Sequence, residues 1–356
     1  METALSPAGG SEEIRIVDDV GKAAWGAFVD RAPQATFFHD WRWGDIVQEA
    51  HGHAPLRLAA MRGDEVVGIL PLTEVKSPFF GRSLISTGFT VGGGVAALDD
   101  QAAHALAEAA IEAGRARKVS YVELRSERAL FSDWRSKEQT YASFIKTMPL
   151  DEDARLAAIP RKRRAEVRKA IKLEAEGRLR IRFENDVSVF HDIYARSVRN
   201  LGTPVFSRRY VALLTEAFGD AAEIAIVEGD GAPVAALMSF YFRDRVMPYY
   251  VGAIDGARPL RAFDYLYWKV MARAGDRGAP VFDFGRSKIG TPHFDYKKLW
   301  GFEATPLAYQ YALINAKEVP DVNPNNAKFA LVSSAWKRLP LPIANRLGPI
   351  LARNLA

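Results

Sequence analysis

AEIAIVEGDGAPVAALMS, residues 222–239, carries the pattern that decides the fold. Two apolar runs flank the turn-forming cluster Glu228-Gly229-Asp230-Gly231, so the stretch reads as a β-hairpin. Downstream come a strand over residues 246–253, a Gly- and Pro-containing loop over 254–261 and a helix over 262–277. A short strand over 281–284 then ends in Gly285-Arg286-Ser287. The same series occurs earlier in the chain. LRLAAMRGDEVVGILPL, residues 56–72, is a hairpin turning at Arg62-Gly63-Asp64-Glu65. A strand over 82–87, a glycine-rich loop over 88–94, an alanine-rich helix over 101–118 and a strand over 119–124 follow, and that strand runs into Arg125-Ser126. Two copies of one series mark a duplication rather than a solenoid, which needs at least three units. The order predicts an α/β fold of two related domains, each a mixed sheet flanked by helices. Ligand clefts favour the junction of such units. A strand, a glycine-containing loop and a helix also present backbone N–H groups suited to a phosphate.

Composition narrows the reading. At 356 residues and 48% hydrophobic content, the chain is long enough for two cored domains and a tail. No apolar run approaches the ~20 residues that span a bilayer. The acidic N-terminus METALSPAGGSEE lacks the apolar core of a signal peptide, so none is expected. The absence of cysteine excludes disulfides, thiolate zinc sites and a cysteine nucleophile, and fits a cytoplasmic protein. A net charge of +5 suits a phosphate-bearing partner or an anionic membrane surface and is too weak to name nucleic acid. The histidines, at 39, 51, 53, 104, 191 and 293, lack metal-binding spacing, and neither a G-x-S-x-G elbow nor a G-x-x-x-x-G-K-[ST] loop occurs.

Four further segments carry weight. TFFHDWRW, residues 36–43, is unusually aromatic and reads as a helix start packed on the core. PRKRRAEVRKAIK, residues 160–172, lies between the copies; Pro160 suits a first helical turn, and only a thin apolar stripe backs it. Arg161, Arg163, Arg164 and Arg168 are read as phosphate contacts, since the guanidinium fork bonds phosphate bidentately; a solvated charged face is the competing reading. PVFDFGRSKIGTPHFDYKKLWGF, residues 280–302, sets Asp283, Arg286, Asp295, Tyr296, Lys297 and Lys298 beside a core strand. Charges so placed are costly unless paired or functional, although a surface hairpin with solvated lysines is the plain alternative. Residues 329–356 alternate apolar and basic positions around prolines that argue against one continuous helix, leaving a docked tail or a membrane-surface segment.

RKRRAEVRKAIK (161–172), YYVGA (249–253), FDFGRS (282–287) and FDYKKLWGF (294–302) together resemble the FemAB family of the GNAT acyltransferase superfamily. The tail NPNNAKFALVSSAWKRLPLPIANRLGP (323–349) is similar to that of FemAB-like proteins associated with exosortase/PEP-CTERM systems. The resemblance covers most of residues 36–349. It implies tandem GNAT-like domains over residues 14–150 and 151–315, after a disordered segment 1–13 and before a basic, apolar tail 316–356. It further implies an acyltransferase or aminoacyltransferase that N-acylates an amine on a cell-envelope precursor. Peptidoglycan, an exopolysaccharide and an exosortase-system substrate are the candidate acceptors. Aminoacyl-tRNA or acyl-CoA would be the donor co-substrate, with no bound cofactor or metal. By position, Lys297 takes the role of the family lysine that stabilises the oxyanion or the donor phosphate, with Tyr296 beside it. A fixed cation there is worth about several kcal/mol in a dry site. Asp283 or Asp295 is a candidate base, pairing of either with Arg286 or a lysine being the competing role, and Arg286 and Tyr250 are candidate substrate contacts.

Two departures bear on the donor. Residues 255–265, DGARPLRAFDY, lack the R/Q-x-x-G-x-G/A loop that grips the CoA pyrophosphate, and no long helical arm of the kind used with tRNA separates the copies. The alternative reading is a non-catalytic GNAT-like module that binds a phosphorylated glycan or a lipid-linked precursor. Nucleic-acid binding on residues 161–172 lacks flanking aromatics for stacking. The tail, through Trp336, Lys337, Arg338 and the apolar residues after them, is expected to touch the inner membrane peripherally.

Overall fold

Both hairpins form where apolar alternation placed them. The computed structural model describes residues 13–78, 80–319 and 327–355. The disordered segment expected at the N-terminus and the linker at Asn323-Pro324-Asn325-Asn326 fall mostly outside these residues.

The first half runs β1 (Ile14–Asp18), α1 (Lys22–Arg31), α2 (Arg42–His51), β2 (Ala54–Arg62), β3 (Glu65–Ser77), β4 (Gly81–Ser86), β5 (Ala96–Ala97), α3 (Asp100–Ala116) and β6 (Tyr121–Ser126). A connecting region holds β7 (Arg135–Lys137), β8 (Tyr141–Ser143), β9 (Ile145–Thr147), α4 (Glu152–Ala157) and α5 (Arg161–Ala175). The second half runs β10 (Leu179–Phe183), α6 (Val187–Leu201), α7 (Arg208–Phe218), β11 (Ala222–Gly229), β12 (Ala232–Phe242), β13 (Arg245–Ala253), α8 (Ala262–Asp276) and β14 (Val281–Asp283). Then come β15 (Ser287–Lys288), α9 (Pro292–Lys298), β16 (Thr305–Pro306), β17 (Ala308–Leu313), α10 (Ala327–Lys337) and α11 (Leu341–Ala352).

The two halves share more than element order. Just past each hairpin turn the register slips by one residue, at Val67 opposite β2 and at Val234 opposite β11. In each half the hairpin's second strand pairs antiparallel with a third, β4 or β13. A helix, α3 or α8, then crosses over to a parallel strand, β6 or β14.

Each sheet is completed from elsewhere in the chain. β17 docks antiparallel on β6 along all six of its residues, and β9 docks antiparallel on β14. The boundary expected near residue 150 is therefore crossed in both directions. The edges of β6 and β14 would otherwise expose a row of unpaired backbone groups. A small third sheet has the order β15-β8-β16.

The aromatic stretch 36–43 goes further than packing on its own core. Phe37, Phe38, Trp43 and Ile46 share one apolar cluster with Phe190, Tyr210, Phe218 and Phe240 of the second half. The ring of Phe37 lies 4.6 Å from that of Phe218 and 4.9 Å from that of Phe240. A core continuous across the halves, together with the exchanged strands, holds them in one relative position.

The tail forms two helices broken at Pro340, and both pack on α6. Arg199 Nη1 donates to the Lys337 carbonyl at 3.2 Å, and His53 Nε2 lies 2.7 Å from the Arg353 carbonyl. Trp336 is buried, so it is not available as an interfacial anchor. No helix among the described residues is long and apolar enough to cross a membrane.

Candidate active site

The cavity arises from two irregularities in the second sheet. Pairing between β12 and β13 jumps from Ser239↔Pro248 to Met238↔Tyr250, so Tyr249 is an extra residue that bulges from the ladder. β13 and β14 then pair over only Arg245↔Val281 and Val246↔Phe282 before they diverge. A cavity of about 810 Å³ opens between residues 248–251 and 284–289. The first half closes it with residues 89–91 and with Glu123 and Arg125 at the end of β6; β8 of the connecting region adds Tyr141, and β17 adds Tyr309 and Tyr311.

α9 delivers the lysine. Thr291 caps its first turn by accepting from the Phe294 N–H, and Pro292 opens the helix with φ already set. Trp300, fully buried just beyond the helix, and Phe294, against Phe144, tie it to the core. Tyr296 donates to Asp264 at 3.2 Å and lies under the Arg163 guanidinium at 4.7 Å. With those side chains committed, Lys297 projects to the cavity wall. Its Nζ donates to the carbonyls of Gly285 and Arg286, each at 3.1 Å. An ammonium has three donors, so one is left for a ligand. Burial, against the pull of Asp283 and with a smaller push from the nearby charge of Arg286, lowers the Lys297 pKa to about 8.

Residues 161–298 match the family described as acetyltransferase (GNAT) domain. The match runs from α5 through α9. Among solved structures, FemX shares the fold at 14% identity and a TM-score of 0.65, covering 85% of this chain and 98% of that one. A tandem GNAT protein from the clavulanic acid biosynthesis pathway shares it at 12% identity and a TM-score of 0.53, covering 85% and 98%. The chain is thus two tandem GNAT-like units. At these identities the likeness is one of fold. No curated protein matches the chain by sequence. The family match supports an acyltransferase class, and acyl-CoA is the co-substrate of GNAT enzymes.

The sequence-predicted residues of the GNAT half divide between the cavity and the scaffold. Lys297, Tyr296, Arg286 and Tyr250 line the cavity. Tyr250 is held by a 3.1 Å hydroxyl contact with Tyr210. Arg286 Nη1 donates to the Tyr309 hydroxyl at 3.1 Å, and its guanidinium sits 4.3 Å from the centre of the Tyr141 ring. Asp283 does not line the cavity. One of its carboxylate oxygens accepts from the Gly285 N–H at 2.7 Å and the other from Arg245 at 3.2 Å. Burial raises its pKa despite Arg245. Its role on this geometry is to shape the turn after β14 and to favour the charge on Lys297.

The basic run is not brought to the cavity. Arg163 forms a nearly buried ion pair with Asp264, the side chains being 11% and 9% exposed. Arg164 donates to the carbonyls of Ala157 and Ile159. Arg161 and Arg168 are exposed on α5. Pairing and backbone bonding occupy the two inward arginines, which leaves only the outer two open to a phosphate.

Three cavity residues escaped sequence reasoning. Arg125 reaches the cavity from the first half, held by Glu123 at 2.8 Å; the repeated Arg-Ser ending was its signal. Tyr309 stands between the halves, 5.8 Å from the Arg125 guanidinium and 5.6 Å from that of Arg286, and its hydroxyl donates to the Val91 carbonyl at 2.8 Å. Nothing local marks it, because β17 acquires its place only through the other half's sheet. His293, four residues before Lys297 on α9, also lines the cavity. Burial and then Lys297 lower its pKa below 6.5, so the imidazole is neutral at pH 7.

Proposed function

We propose that the chain is an N-acyltransferase that joins an acyl or aminoacyl group to an amine on an anionic cell-envelope precursor. The observation that carries this reading is the partly desolvated Lys297, with one donor to spare, on the wall of a cavity opened by the Tyr249 bulge and the β13–β14 divergence. The acceptor nitrogen attacks the acyl carbonyl carbon, whose oxygen becomes an oxyanion facing the Lys297 ammonium. The carbon–heteroatom bond to the donor then breaks, and the leaving group takes a proton. His293, neutral at pH 7, is the candidate to accept the proton lost by the amine. Among the described residues lining the cavity Glu123 is the one carboxylate, and Arg125 already engages it.

Among the described lining residues, Arg286 and Lys297 present cationic groups to the cavity, while Arg125 is already answered by Glu123. This balance favours a phosphate- or carboxylate-bearing acceptor, and the tyrosine walls suit a sugar or nucleotide ring. Among donors, acyl-CoA is favoured by the family match. The resemblance of the tail to exosortase-associated proteins points to surface-polysaccharide precursors as acceptors. The test is transfer of label from a panel of acyl-CoAs and aminoacyl-tRNAs to amino-sugar nucleotides, followed by mass spectrometry. Mass spectrometry of envelope glycans from a deletion strain supplies the natural product. Binding of acceptor without turnover with any donor would favour the non-catalytic reading.

A further inference from the structure

The helix that closes the chain is packed the wrong way round for a surface helix of a globular protein. Such a helix ordinarily buries its large aliphatic side chains and exposes small or polar ones. In α11 the buried positions are Ala344, Gly348 and Ala352. Gly348 lies so close to Val205 that an added Cβ would meet its backbone at 3.0 Å. Leu341 packs partly buried on the α6 side, but three large residues face outward: Ile343, Leu347 and Ile350 are 46%, 43% and 51% exposed. Their spacing of four and three residues places them in one stripe. Arg346 and Arg353 are exposed on the same helical face, and Lys337 and Arg338 are exposed where α10 ends.

We infer that this face of α11 docks on an anionic lipid surface. Charge decides between occupants. Residues 327–356 contain five lysines and arginines and no aspartate or glutamate. A second copy of the chain would set cations against cations, whereas anionic headgroups complement them and an interface takes up the aliphatic stripe. The helix stays anchored to the protein through α6, so the contact is peripheral. The surface also adjoins the cavity, because Leu355, just past α11, is one of its lining residues. Docking would therefore bring the cavity close to the lipid headgroups. The inference does not depend on the acyl-transfer chemistry.

The experiment is flotation of the full-length protein with phosphatidylcholine vesicles, with and without phosphatidylglycerol. Wild type should float with the phosphatidylglycerol vesicles, less at high salt, and should stay behind with neutral ones. The triple variant Ile343→Ser, Leu347→Ser, Ile350→Ser should partition about a hundredfold more weakly, the scale for withholding the exposed half of three aliphatic side chains. Arg346→Glu with Arg353→Glu should abolish the preference for anionic lipid while leaving the stripe intact. Both variants should keep wild-type thermal unfolding and turnover of a water-soluble acceptor. Wild type that fails to float with either vesicle, or variants that float as wild type does, would overturn the inference. So would a concentration-dependent dimer that the triple variant converts to monomer, since the stripe would then be a self-association surface.

Discussion

Replacing Lys297 by methionine keeps most of the side-chain volume and removes the charge. Two of the three ammonium donors serve the Gly285 and Arg286 carbonyls, so the change deletes one donor to the reacting oxygen. Loss of a single oxyanion donor lowers kcat by roughly 10²–10³-fold with a smaller effect on KM. The lowered pKa makes the role of the group readable. If the cation is required, kcat falls as pH rises through about 8, where Lys297 deprotonates. If the free amine acts as a base, the rate rises through the same pH. Lys297→Arg should keep the charge and move the alkaline limb to higher pH, and Lys297→Met should remove it. The same depression has a stability consequence with a defined sign. Between about 8 and the ordinary 10.5 the unfolded chain binds more proton at this site, so its contribution to stability rises with pH across that window. The assay is initial rate of acyl transfer against pH, with folding checked by thermal unfolding. A folded Lys297→Met protein with normal kcat, or a wild-type rate that climbs through pH 8, would refute the oxyanion role.

Further outcomes follow from the same geometry. His293→Gln should remove the acid limb of the profile below pH 6.5, leaving only the titration of the acceptor amine; the pH–rate curves of the two proteins decide it. Arg286→Gln should raise KM for an anionic acceptor about tenfold while kcat changes less, because its guanidinium faces the cavity and a charge-assisted bond is lost. Arg163→Ala should cost about 3–5 kcal/mol in chemical denaturation, because it leaves the Asp264 carboxylate buried without its cation. The paired variant Arg161→Ala, Arg168→Ala tests the phosphate reading of the basic run: acceptor affinity should fall only if those exposed arginines contact the ligand, and stability should not change. Ending the chain before β17 should unfold the first sheet as well as the second half, seen as loss of a cooperative transition, since β17 fills the sheet beside β6.

Much of the architecture is local and so is legible in the chain. Apolar alternation around Gly63 and Gly231 set both hairpins, helix periodicity set α3 and α8, and the repeated series exposed the duplication. Lys297, Tyr296 and Arg286 were legible as a cluster because charges beside a core strand need a reason to be there. The long-range pairings were not. β17 and β9 are short, and nothing in their residues states that each completes the other half's sheet, because a strand's partner is chosen by the free edge it meets. That exchange placed Tyr309 between Arg125 and Arg286 and built the cavity from both halves. The basic run shows the opposite case. Its composition invited a phosphate, but tertiary packing supplied Asp264 to Arg163 and helix-end carbonyls to Arg164, and a guanidinium so satisfied has little left for a ligand. The tail shows it again: sequence alone identified its apolar and basic content, and only docking on α6 determined that the small residues face in and Ile343, Leu347 and Ile350 face out.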